Sequence, residues 1–402
     1  MSPETDPAEN PPENRPSPTR PPLAVSLAAF VSSFDRFAIS PLLVLVAADL
    51  GVTLAQALAV ASAYYLAYGV SQPLWGMLSD RIGRIRLMRA SLIAAALVGI
   101  VAALAPNLTV LIIARTLGGA FYGAIVPTSL TYVGDTVDER HRQPALADLM
   151  AAIAVGTAVA TALAGIIADL LDWRVVFVIT SVLALLSVLG LARAPEAPRA
   201  PRAPRAGMLT TIGMALGNRW VLVVIALVVV EGAVVLGVLT LLAPALQSLG
   251  VGAAIAGLAT AAYGVGVILT SRLIRLLAPR LAMPLLMAIG GTAATLGFAV
   301  LALHLSIVTV VIAALLLGTT WSFLHSSLQT WSTTVLPQAR GTVVSLFAGF
   351  LFAGSAFGAW AGGYLGEHGE WTLLFTLTAG IALVLTAVVV IARRTYEGPR
   401  RV

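Results

Sequence analysis

The sequence predicts an all-α integral membrane protein, with twelve transmembrane helices in two pseudo-symmetric six-helix bundles. Three observations lead there. The 402 residues are 59% hydrophobic and 10% charged, with a mean hydropathy of +0.95, whereas a soluble domain is about 25% charged. Twelve apolar runs reach the roughly 20 residues that cross a bilayer as a helix. All 24 basic residues are arginine, and 21 of them fall on one side when the runs are threaded alternately through a membrane.

Residues 1–22 hold eight prolines and mixed charge, a composition that cannot bury a core, and read as a disordered cytoplasmic tail. The first bundle is expected over 23–192, with helices at about 23–48, 54–77, 86–105, 108–131, 144–168 and 173–192. The first run is too long for a cleaved signal peptide and contains Asp35-Arg36. Residues 193–219 form a linker with Ala-Pro-Arg repeats from Pro198 to Arg205. Its reading is a stiff, cationic, solvated spacer beside anionic lipid heads, with a regulatory or nucleic-acid site as the alternative. The second bundle is expected over 220–392, with helices at about 220–243, 251–273, 282–303, 306–330, 341–364 and 371–392. A cytoplasmic tail, 393–402, follows.

The arginines set the orientation. With the N-terminus inside, the inner segments carry all but Arg36 and Arg115, which lie within helices, and Arg174, at an outer edge. This is the asymmetry of the positive-inside rule, and an odd helix count would scramble it. The basic excess therefore reflects topology, and no nucleic-acid partner is expected.

The two halves echo each other. Tyr68-Gly69-Val70 recurs as Tyr263-Gly264-Val265, Asp172-Trp173 with Phe177 as Glu370-Trp371 with Phe375, and Asp35 as Glu231, at offsets of 195, 198 and 196 residues. A duplication of six helices explains this, and in such repeats the substrate lies near the midplane between them.

Charged residues inside the apolar runs are the candidates for chemistry. Asp35 lies about a dozen residues into helix 1, near the bilayer centre at a rise of ~1.5 Å per residue. An ionised side chain there costs on the order of 2.5–3.5 kcal/mol on insertion scales, so it needs a partner, a wet cavity or a proton. A permanent salt bridge to Arg36 or to Arg115 of helix 4 is the structural alternative to protonation or substrate contact, and Arg36, about 100° away on the helix, is a poor direct partner. A cation favours the ionised form of a nearby carboxylate and desolvation opposes it, so changing their distance or hydration moves a proton. Glu231, in helix 7, is a second candidate for protonation or for meeting a cationic substrate. Tyr68 and Gln72, with Tyr64 and Tyr65, lie on helix 2. His325 and Gln329, with Trp321, Ser326 and Trp331, lie on helix 10. These are candidate cavity residues, with interfacial anchoring and packing as the alternative. Asp35 and Glu231 favour a cationic substrate, against the opposing influence of Arg36 and Arg115.

Between helices 2 and 3 runs Gly76-Met77-Leu78-Ser79-Asp80-Arg81-Ile82-Gly83-Arg84-Ile85-Arg86-Leu87, a short, strongly charged loop. It resembles the helix 2–3 loop of major facilitator superfamily transporters, matching at Gly76, Leu78, Asp80, Arg81, Gly83 and Arg84, with Ile85 at a position that is usually basic. Arg115 with Gly119 is similar to the helix 4 signature of proton-coupled members. Gly156 to Gly165 resembles the helix 5 motif of the antiporters, with Ala160, Ala164 and Gly165 standing in for its Gly-Pro and Gly-Gly elements. The resemblance implies gating by the loop, with Asp80 against the N-terminus of helix 11 near Gly341. It also implies a charge network of Asp80 and Arg81 with Arg140, Arg142 and Asp148.

There is no cysteine, no Walker-type glycine loop, no His-Glu-x-x-His and no Ser/His/Asp cluster, so no enzyme activity, metal or cofactor is expected. The energy source is then a proton gradient or the solute itself. The expectation is a monomeric transporter in the inner membrane, both termini cytoplasmic, moving a small hydrophobic or weakly cationic molecule outward in exchange for protons. An importer of a sugar, amino acid or organic acid is the alternative within the fold. A non-transporting receptor or lipid-handling protein is the alternative outside it.

Overall fold

The computed structural model describes residues 20–197 and 208–397. The first 19 residues, the Ala-Pro-Arg repeats and the last five residues, to which the tail and linker readings largely apply, lie outside the described residues. Among the described residues there are no strands. Twelve long helices alternate through the fold: α1 (Leu23–Leu50), α3 (Arg84–Ala103), α4 (Leu108–Thr136), α5 (Glu139–Leu170), α6 (Trp173–Leu191), α7 (Arg219–Gln247), α8 (Ala253–Leu277), α9 (Met283–Leu303), α10 (Ile307–Thr334), α11 (Pro337–Glu367) and α12 (Trp371–Thr395), with α2 at Leu54–Ile82. The first eleven named are long and apolar enough to span a membrane on length and hydropathy. Helix α2 is the exception, because Ser62, Tyr64, Tyr65, Tyr68, Ser71 and Gln72 dilute its apolar residues. It faces the other bundle along its length, where a polar side chain can be matched.

Two sequence expectations change. The charged segment between α2 and α3 is not a loop: α2 runs on through Arg81 and α3 starts at Arg84, leaving Gly83 alone between them. Hydropathy registers where lipid ends, whereas a helix continues for as long as its hydrogen bonds and i,i+4 charge pairs hold. Gly83 has φ +106°, and a Cβ there would meet the Glu196 carboxylate, so the junction needs glycine. The linker likewise contains a helix, Met208–Leu216, in contact with α11 and the start of α7.

Within each half the six helices pack on each other, and the halves meet chiefly through α2 against α11 and α5 against α8, the most extensive helix contacts in the molecule. Small residues bring the backbones together, as expected where lipid removes the hydrophobic drive. A Cβ on Gly165 would strike the Ala253 carbonyl, one on Gly257 the Thr161 carbonyl, and one on Gly69 the Gly349 backbone.

Inside the second bundle, a Cβ at Gly232 would strike the Leu351 carbonyl of α11, whereas Gly134 of α4 has nothing within 4 Å. Gly232→Ala is therefore expected to destabilise the protein by roughly 1–3 kcal/mol through overpacking, and Gly134→Ala to leave it unchanged or slightly more stable. Thermal melts of the purified protein in detergent check both.

Candidate functional site

The mid-membrane charges sit on the four helices whose winding is interrupted. Helix α1 tightens to a 3-10 turn at Ser40–Leu42, around Pro41. Helix α4 breaks between Tyr122 and Ile125. Helices α7 and α10 widen to π-helix over Ala233–Gly237 and Trp321–His325. Irregular winding of this kind recurs at functional sites, and at membrane depth it survives only where protein or a cavity surrounds it.

Asp35 and Arg115 form a buried ion pair across the first bundle. Nη1 of Arg115 donates to Oδ1 at 2.7 Å and to Oδ2 at 2.9 Å, while Nη2 donates to the Asp35 carbonyl at 3.0 Å. Both side chains are 3% exposed. The guanidinium also lies over the rings of Tyr64, at 4.4 Å, and Phe177, at 4.9 Å. Breaking such a pair is costly because it strands a buried charge.

Glu231 and His325 form the matching pair in the second bundle. Nδ1 of His325 lies 3.3 Å from each carboxylate oxygen. Glu231 is fully buried, and His325 is stacked on Trp321 with ring centroids 3.7 Å apart. The same helix pair is used in both halves, α1 with α4 and α7 with α10. The sequence reading held these two residues as separate candidates. Their contact joins residues 94 apart in the chain, and no local pattern signals it.

Arg36 has a different environment. It is partly buried, and its Nε is shielded from solvent without a hydrogen-bond partner. Its guanidinium lies 4.9 Å from the ring of Phe37, 5.2 Å from Tyr68 and 5.5 Å from Phe352 of α11. Tyr68 is thus brought to the site, with its ring 4.5 Å from Phe352. Gln72 is half-buried one turn further along α2, and Gln329 is exposed on α10, away from the two charge pairs.

Beyond this layer, toward the arginine-poor end, the halves are joined. Ser40 donates to the Thr240 carbonyl at 2.9 Å, and Tyr65 meets the Thr240 hydroxyl at 2.9 Å. Around them is a void of about 10 Å³ lined by Phe37, Thr157, Thr161, Thr260 and Tyr263, at the threshold for one water. At the rim two carboxylates close the seam. Asp169, at the end of α5, accepts from the backbone N–H groups of Ala253 and Ala254 at the start of α8, at 3.1 and 3.0 Å. Glu367, at the end of α11, accepts from the N–H of Ala55 at the start of α2, at 3.2 Å. Asp169 and Glu367 are 198 residues apart, the offset of the internal repeat, so the two latches are pseudo-symmetric copies. Each satisfies N–H groups that a helix start leaves unpaired, and each places negative charge at the positive end of a helix dipole. That offset is the signal by which the sequence could have revealed them.

Toward the arginine-rich end the facing segments part. Gly76 and Met77 of α2 and Arg340 and Gly341 of α11 are exposed, and a Cβ at Gly76 or Gly341 would meet nothing within 4 Å. Among the described residues, the Arg84 contacts of the charged motif lie within its own half. Arg84 Nη1 bonds Asp80 at 2.7 Å and Ser79 at 2.8 Å, and its Nε bonds Asp135 of α4 at 3.1 Å. Glu196 accepts from the N–H groups of Ile85 and Arg86, capping α3. Asp135 and Glu196 were not singled out in the sequence. Asp148 lies 3.9 Å from Arg20 and is largely exposed, so its described partner is the N-terminal segment instead of Asp80 or Arg81. Arg81 is exposed.

Two six-helix bundles joined at one end, with buried mid-membrane charges between their ends, define a multi-pass membrane protein. The model of the Major Facilitator Superfamily matches residues 25–350 and 247–402, and the chain belongs to that family of membrane transporters. It is 32% identical over 136 residues to a triacylglyceride transporter of Mycolicibacterium smegmatis, covering 33% of this chain and 24% of the relative. It is 29% identical over 163 residues to the multidrug export protein EmrB of Haemophilus influenzae, covering 40% and 32%. The matched segment thus spans between a quarter and a third of each relative's length. Among solved structures, a bacterial homolog of the human lysosomal transporter Spinster, in an inward-facing and unoccupied conformation, superposes with a TM-score of 0.74 at 16% identity, covering 93% of this chain and 96% of that one. At that identity the likeness establishes the fold.

Two outcomes are expected of this geometry. Arg115→Ala should cost roughly 3–5 kcal/mol by leaving Asp35 unpaired, and Asp35→Ala added to it should recover part of the loss, as a double-mutant cycle of melting measurements would read. The chain has no cysteine, so Thr161→Cys makes a clean probe of the seam. Its labelling by an impermeant maleimide from the arginine-poor side should be slow, and faster by about tenfold or more once Asp169→Ala and Glu367→Ala are both present.

Proposed function

We propose that the protein is a proton-coupled secondary transporter that exports a hydrophobic or amphipathic small molecule. In this reading the membrane is the cell's inner membrane, and the arginine-rich end and both termini are cytoplasmic, in keeping with the positive-inside rule. The structure then corresponds to the state open to the cytoplasm, with the outer seam shut by Asp169 and Glu367.

The Asp35–Arg115 pair is the observation that supports proton coupling. A carboxylate held at mid-depth by a guanidinium, with both side chains 3% exposed, is sealed from water on both sides. If α1 shifts against α4 within the first bundle and separates the pair, the carboxylate loses its guanidinium partner and a proton can take the partner's place. Reforming the pair releases it. Glu231 and His325, in contact in the other half, are a second ionisable pair of this kind. Export is favoured over import by the relative named as a multidrug export protein. With substrate and proton competing for the same rearrangement, one leaves as the other enters.

Proteoliposomes test this. Reconstituted protein should accumulate members of a dye panel spanning positive, neutral and negative charge when an inward-acid gradient is imposed. In Asp35→Asn, gradient-driven accumulation should fall to the level of protein-free vesicles, while dye exchange without a gradient persists. Gradient-driven accumulation that is unchanged in Asp35→Asn would overturn the coupling assignment.

A further inference from the structure

At the level where the two bundles meet, each carboxylate has a neighbouring partner, although Oε1 of Glu231 is buried without a hydrogen bond. Asp35 is held by Arg115 and Glu231 by His325. Arg36 is the remaining guanidinium at that depth, and among the described residues it makes no hydrogen bond or ion pair, with Nε shielded and unpartnered. We propose that Arg36 anchors the anionic head of the transported molecule, which is an amphiphile bearing a carboxylate or a phosphate, with its carbon body against Tyr68 and Phe352. This rests on the export reading above and replaces the cationic substrate expected from the sequence.

The chemistry fits the surroundings. Phe37, Tyr68 and Phe352 ring the guanidinium at 4.9–5.5 Å. Aromatic faces stabilise the cation without consuming its N–H donors. The planar fork therefore remains available for a bidentate oxyanion, the geometry in which arginine binds carboxylate and phosphate most strongly. Phe37 and Tyr68 belong to the first bundle and Phe352 to the second, so an occupant held here touches both moving parts. Arg36 follows Asp35 on α1, so a load on one is felt by the residue that carries the proton.

The test uses three probes with one chain length: octanoate, octyl phosphate and octyltrimethylammonium. Binding to the full-length protein in nanodiscs is followed by tryptophan fluorescence, and flux of labelled octyl phosphate and octyltrimethylammonium is measured in proteoliposomes against protein-free vesicles. The wild type should bind both anions more tightly than the ammonium. Arg36→Gln should weaken anion binding by about tenfold or more, Arg36→Lys should fall between because it keeps charge without the fork, and Arg36→Glu should reverse the preference toward the ammonium. The reversal is a gain that a misfolded variant cannot produce. Anion binding that is unchanged in Arg36→Gln would overturn the inference, as would a wild type that carries the ammonium and not the phosphate while still transporting. A wild type that moves neither probe nor any dye of the panel would overturn the export reading and this inference with it. Loss of octanoate binding alone, or of octyl phosphate binding alone, in Arg36→Gln would support the inference and assign the head group to the affected class.

Discussion

The ion pair between Asp35 and Arg115 is the constraint around which the fold is arranged. Neither charge is tolerable alone at mid-depth, because the hydrocarbon offers nothing to solvate it. The two must meet, and α1 and α4 must cross where they can. The guanidinium satisfies both carboxylate oxygens and the Asp35 carbonyl together, and Tyr64 and Phe177 close over it. A pair this well satisfied holds the first bundle in one arrangement, yet its strength depends on distance and dryness. A modest rearrangement of either helix therefore changes its energy steeply, which is what a switch requires.

Around this centre the molecule divides its work by depth. The outer end is made of backbone meeting backbone, through Gly165, Gly257 and the two carboxylate latches. The middle holds the ionisable groups and the unpartnered Arg36. The arginine-rich end is made of charged side chains tied within one half, as with Arg84, Asp80 and Asp135, so the two bundles can part there without breaking those bonds. Because all 24 Lys/Arg positions are arginine, the cationic surface at that end keeps its charge at any physiological pH.

Much of the fold was legible before any coordinates. Arginine placement follows from the cost of moving cations across lipid, and so it reported the helix count. Asp35 and Arg115 stood out because charges are scarce inside apolar runs, and the 100° turn between neighbouring residues counted against Arg36 as the direct partner of Asp35. Other features were hidden for physical reasons. The helical continuation through Arg81 and the helix Met208–Leu216 lie where hydropathy no longer tracks backbone hydrogen bonding. The Glu231–His325 contact depends on how α7 and α10 pack, which no local spacing encodes. Asp169 and Glu367 look like ordinary solvated helix ends until they are compared at the repeat offset.

The duplicated latch has a mechanical consequence. A single point of attachment between two rigid bodies lets them swivel about it and open a crack on the far side. Two attachments on different helix pairs, α5 with α8 and α2 with α11, remove that freedom. With one fastened, the other stays at high effective concentration and refastens before anything can pass. The seam at the arginine-poor end should therefore release as a unit, without a half-open form, and the doubling of six helices would have supplied that safeguard along with the fold.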